Sequence, residues 1–247
     1  MKEKELNVID HLDELRSRLI KIVAAFIIMF VVGFIYVEDV YQWMTNDLDV
    51  KLIVLGPSDI LWVYFMIATV VAIAGTIPVL AYQIWAFIKP ALKPNEVKVT
   101  LAYIPALFIL FLIGLCFGYF VIFPTVMNFL IELGGSMMVT NFTAEKYFRF
   151  IMTTTIPFGV LFELPVVLMF LTSLGIVNPY VLQKIRKYAY FLLIIIAIVI
   201  SPPDFMSDFL VAVPLLFLYE ISVNLSKVVY KRKLKKQKEW EAELGEA

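Results

Sequence analysis

Long apolar runs separated by short polar stretches set the pattern of this chain. A helix that crosses a bilayer needs about 20 mostly apolar residues, each adding about 1.5 Å. Six runs are candidate spans: Leu19–Val37, Ile60–Ile88, Val97–Phe123, Phe148–Leu174, Tyr188–Ile200 and Phe205–Ser226. The fifth ends early, at "SPPD", and reaches only roughly 20 Å, so local thinning of the bilayer is expected there. A re-entrant hairpin of the last two runs is the alternative. Pro78, Pro105, Pro157, Pro165 and Pro214 interrupt the runs. Each removes a backbone donor and tends to kink its helix, so the expected fold is an all-α, concave bundle. Ahead of the first run, Val8, Leu12, Leu15 and Leu19 recur at helical spacing. With Asn7 as a cap, residues 1–18 read as an amphipathic helix along the membrane surface.

Composition strengthens this reading. The 247 residues are 62% hydrophobic and 17% charged, against about 45–50% and about 25% in a typical soluble domain. Mean hydropathy is +0.88. An integral membrane protein is expected, with one domain over residues 1–247 and a charged tail from residue 227. No internal repeat marks it as a two-fold transporter. The charged N-terminus lacks the pattern of a cleaved signal peptide, so the first run is read as retained. Basic residues tend to stay on the cytoplasmic side. Counting them along the candidate loops leaves only Lys51, Lys146 and Arg149 of the 21 on the opposite side. Six spans with both termini in the cytoplasm follow.

Few residues offer chemistry. Cys116 is the one cysteine and His11 the one histidine, so neither a disulfide framework nor a zinc site is expected. No histidine–acid pair or paired aspartate lies at bilayer depth, so no enzyme and no cofactor is expected. Glu163 stands out within "FGVLFELPVVLMF". A charge at bilayer depth costs at least about 2.5–3.5 kcal/mol, so such an acid is expected to face the bundle interior. It could be a proton site, a group that ties helices together, or part of a polar cavity that receives a ligand. Glu96 follows Pro94 and Asn95 at a helix start, where the helix dipole favours an anion. Trp85 and Phe87 sit where an aromatic belt is expected. Glu220, seven residues before Lys227, is placed near the cytoplasmic interface.

The strings "HLDELRSRLI", "IPVLAYQIWAFIKPALKPNE", "FGYFVIFP", "FGVLFELPV", "SPPDFMSD" and "VPLLFLYEI" occur in this order over nearly the whole chain. Together they resemble the TatC family, the multispanning subunit of the twin-arginine protein translocase. The resemblance implies a core receptor in the bacterial cytoplasmic membrane that binds twin-arginine signal peptides of folded proteins. It also implies small single-span partners of the TatA and TatB type, a higher oligomer, the proton-motive force as the drive, and no nucleic acid. By the same resemblance the signal-peptide site maps to Glu14, Arg16, Phe87 and Glu96. Glu163 maps to an intramembrane polar site and Asp204 to a functional outer turn. Asp208 departs from the family pattern, which usually has glutamine there. A proton-coupled transporter or ion channel is the rival reading.

Overall fold

The computed structural model of the protein describes residues 2–46, 52–92, 97, 100–134, 142–201 and 205–245; side chains are described for those from 12 to 235 other than 91. Ten α-helices are seen among the described residues: α1 Lys2–Ile35, α2 Val37–Thr45, α3 Pro57–Ile88, α4 Tyr103–Phe117, α5 Phe123–Gly134, α6 Ala144–Leu161, α7 Leu164–Leu174, α8 Pro179–Lys184, α9 Arg186–Ile200 and α10 Phe205–Gly245. They fall into two compact units, residues 1–92 with 134–153, and residues 93–133 with 154–247.

Among the described residues five stretches are long and apolar enough to cross a membrane: Leu12–Ile35, Pro57–Ile88, Tyr103–Gly134, Ala144–Leu174 and Phe205–Lys235. The expected fifth span appears as α9, only 15 residues. At about 1.5 Å per residue it extends roughly 22 Å. Its shortness was legible in the sequence, because the "SPPD" string cannot continue a helix.

Two helices run past the ends of their expected spans. The amphipathic segment is not a separate element, since α1 runs unbroken from Lys2 to Ile35. Neither Gly nor Pro occurs before Gly33, so no backbone breaker stands between the polar and apolar parts. Likewise α10 continues through the charged tail to Gly245. That tail is rich in Lys, Glu, Leu and Ala, all good helix formers.

In the first unit α1 packs against α3 through small and branched side chains. Ile67, Ala68 and Ala72 are almost wholly buried there. Phe30 and Phe34 of α1 lie 6.1 and 5.9 Å from Phe65 of α3, centroid to centroid. Tyr41 of α2 stacks on Phe148 at 5.3 Å. A lone parallel bridge joins Ile53 and Thr143. Ile53 N–H donates to the Phe142 carbonyl at 3.0 Å, and Ala144 N–H to the Ile53 carbonyl at 2.8 Å. It ties the approach to α3 to the start of α6.

The second unit packs α4 closely on the C-terminal half of α6. A Cβ on Gly114 would sit 2.6 Å from the Phe158 carbonyl oxygen and 2.8 Å from the Gly159 Cα. Only a glycine admits that approach, and Gly114 and Gly118 stand four apart in the small-residue pattern common in membrane helix pairs. Between α4 and α5 one turn widens: Phe123 N–H reaches the Gly118 carbonyl, five residues back. Pro124 follows directly and has no N–H to offer.

The seam between α7 and α10 includes a buried polar contact. The Thr172 and Ser226 hydroxyls lie 2.6 Å apart, both fully buried. Helix α7 ends at Gly175, whose φ of 83° suits a residue without a Cβ. Lys233 donates to the Ser173 carbonyl at 2.6 Å, placing a cation at the negative end of the α7 dipole. Asn178 caps α8 by accepting from Tyr180 N–H, and the Tyr219 hydroxyl donates to the Leu182 carbonyl at 2.9 Å.

Candidate functional site: a guanidinium clamp and a buried acid

The first cluster lies in the first unit, where one turn of α1 meets one turn of α3. Glu14 and Arg18 are four residues apart on α1, and Gln83 and Phe87 are four apart on α3. That spacing puts each pair on one helix face. Arg18 lies at the meeting point. Its Nη2 is 2.5 Å and its Nε 3.1 Å from Glu14 Oε1. Its Nη1 donates to Gln83 Oε1 at 3.2 Å and lies 3.5 Å from the Gln83 carbonyl. Its guanidinium carbon is 6.0 Å from the Phe87 ring centroid, within cation–π range. The Arg18 side chain is 19% exposed and that of Glu14 40%. Gln83 is buried.

Two predicted residues, Glu14 and Phe87, are thus brought together around one guanidinium. Arg16 is not part of the group. It pairs with Asp13 at 3.4 Å, and both side chains are largely exposed, at 75% and 62%. Glu96 and Asp204 lie outside the described residues. The reading of the sequence missed Arg18 and Gln83. Arg18 was available from the i, i+4 rule. Gln83 was not, because a contact 65 residues distant leaves no local trace.

The second feature is Glu163. It sits between α6 and α7, where the chain makes a tight turn: its N–H donates to the Val160 carbonyl, three residues back, at 3.1 Å. Pro165 follows inside the first turn of α7 and frees the carbonyl of Leu161. So the acid occupies the break that the proline creates. Its Oε1 is buried with no hydrogen-bond partner among the described residues, as is Thr155 Oγ1 on the same stretch.

A third group joins α9 to α10. Arg186 Nη2 is 2.7 Å from Glu220 Oε2, and the Tyr190 hydroxyl donates to the same carboxylate. Glu220 therefore has a partner within the unit. A signal existed: reading "SPPD" as a tight turn puts residues about equally far before and after it at similar depth. Nearby, the Ser201 hydroxyl donates to the carboxylate of Asp208, the residue that departs from the family pattern.

A sequence model described as "Sec-independent protein translocase protein (TatC)" matches residues 10–214. The chain belongs to the TatC family. It is 56% identical over 237 residues to the Sec-independent protein translocase protein TatCd of Bacillus subtilis, covering 96% of this chain and 98% of that one. It is 35% identical over 219 residues to the TatC of Helicobacter pylori, covering 89% and 87%. A crystal structure of the twin arginine translocase receptor TatC superposes with a TM-score of 0.77 at 34% identity, over 89% of this chain and 99% of that chain. As a TatC protein, the chain is a helical, multi-pass membrane component of a protein translocase.

Proposed function

We propose that this protein is the receptor subunit of a twin-arginine translocase. It crosses the bacterial cytoplasmic membrane six times, with both termini in the cytoplasm and α9 as the short fifth span. It binds the twin-arginine signal peptides of folded proteins on that side. With small single-span partners, and in a higher oligomer, it supports their export on the proton-motive force.

The observation that carries this reading is the Arg18 clamp. Glu14 and Phe87 already hold one guanidinium, so the site has the acceptor chemistry that an arginine-bearing leader requires. A planar guanidinium offers several donors in a fixed fork and lies over an aromatic face; a lysine ammonium is a strongly hydrated point charge. Glu14 and Glu96 are the two acceptors for the leader's arginines. Phe87 offers its ring face to a guanidinium, and Arg16 tunes the charge at the rim. Glu163 supplies a polar spot for a peptide or partner helix within the membrane. Asp204 serves the outer turn.

The test is binding of a fluorescent twin-arginine leader to the detergent-solubilised protein. A charged hydrogen bond contributes about 1.5–3 kcal/mol, so Glu14→Ala is expected to weaken binding about tenfold or more. Adding Glu96→Ala is expected to weaken it further, with the melting temperature unchanged. Unaltered affinity in the double variant would refute the site.

A further inference from the structure

The proposed acceptor is already occupied by a residue of the chain itself. Two nitrogens of Arg18 converge on Glu14 Oε1, while Oε2 receives neither. The cation is held against the protein, 19% exposed, and the anion is the more open partner at 40%. Arg18 at the same time donates through Nη1 to the side-chain oxygen of Gln83 at 3.2 Å. It can let go of Glu14 and keep a hydrogen-bonded seat beside Phe87. Arg16 has no such geometry, because it pairs with Asp13 at the surface.

We propose that Arg18 is an internal competitor for Glu14, an affinity-setting residue that the leader's guanidinium must displace from Glu14 while it stays on Gln83, and that afterwards helps expel the leader. The inference rests on the reading of Glu14 as a leader acceptor. Its consequence is quantitative. Displacing Arg18 costs every incoming cation the same, so all leaders weaken by one common factor. An arginine leader, with its stronger forked pairing, stays within working range. A lysine leader falls below it. Arg18 thus sets a threshold and leaves the arginine-to-lysine ratio unchanged. It also keeps binding reversible, which a receptor that hands its cargo onward requires.

The sign of the effect separates this from a structural role. Equilibrium binding and dissociation of fluorescent twin-arginine and twin-lysine leaders are measured on the full, detergent-solubilised chain at one ionic strength. Arg18→Gln is expected to tighten both leaders by the same factor, about five- to tenfold, with slower release. Arg18→Lys keeps the charge but loses the fork and is expected to fall between. Gln83→Leu removes the seat that remains and is expected to weaken binding. Weaker or unchanged twin-arginine affinity in Arg18→Gln, at an unaltered melting temperature, overturns the proposal. If Arg18→Gln lowers the melting temperature, Arg18→Lys decides: tighter binding supports the competitor and weaker binding overturns it. Failure of the unsubstituted protein to bind the twin-arginine leader would remove the receptor reading itself, a distinct result from a wrong sign in the variants.

Discussion

At Glu163 the chain places a carboxyl group inside a stretch long and apolar enough to span the bilayer, and one oxygen is buried with no partner among the described residues. The insertion cost of such a group is at least about 2.5–3.5 kcal/mol. A side chain that serves packing alone would give that energy back on replacement by leucine, and export would survive. A polar contact for a leader or partner helix makes the opposite demand. Glutamine keeps the size and the hydrogen-bonding capacity of glutamate without its charge. Glu163→Gln is therefore expected to keep more export activity than Glu163→Leu, read as transport of a folded reporter at matched membrane levels of the variants. Equal loss in both would point to proton chemistry in place of a polar contact. Glu163 was legible from the sequence, because an acid within an apolar run is conspicuous without any fold. Arg18 was harder to see. Its partner Glu14 lies one turn away, but the buried Gln83 that completes the clamp comes from another helix.

Among elements, α4 and α6 approach each other closely. Here a glycine, not a large side chain, decides the geometry. Adding a bulky group at Gly114 would drive it into the Phe158 carbonyl, which cannot move away as a flexible side chain could. Overpacking of this kind costs about 1–3 kcal/mol. Gly114→Leu is expected to lower the melting temperature in detergent by several degrees. Gly134→Ala is the control, since a Cβ there has nothing within 4 Å; it should leave melting nearly unchanged. Equal melting for the two would mean that the helices do not meet as described. The apolar runs showed the sequence reader where the helices are, because hydropathy alone marks them. Their ends were less legible. The charged tail joined α10 and the polar N-terminus joined α1, because helix propensity persists past the membrane edge when no breaker intervenes. Prolines announced the break beside Glu163, whereas the widened turn at Gly118–Ile122 had no comparable marker in the reading of residues.

For the molecule as a whole, the distribution of Lys and Arg is the argument for orientation. It depends on how many times the chain crosses. Among the described residues, five long apolar stretches and the 15-residue α9 make six crossings only if the short one passes through the bilayer. Were α9 to stay out of the bilayer, the five remaining crossings would instead put the tail on the opposite side. The Arg186–Glu220 pair links these two helices but fits either arrangement, so chemistry must decide. Cys116 is the only cysteine, and replacing it with alanine gives a clean background. Ser58→Cys, exposed at the start of α3, and Arg232→Cys, exposed in the extension of α10, are then introduced one at a time. A membrane-impermeant maleimide applied to cells with the outer face of the membrane accessible is expected to label the first and not the second. Both should react once the membrane is opened. Labelling of Arg232→Cys from outside would place the tail on the wrong side and sink the six-span topology. Protection of Ser58→Cys together with labelling of the tail would invert the protein. The inverted result would also put Glu14, Phe87 and their guanidinium clamp on the face that no arriving leader sees.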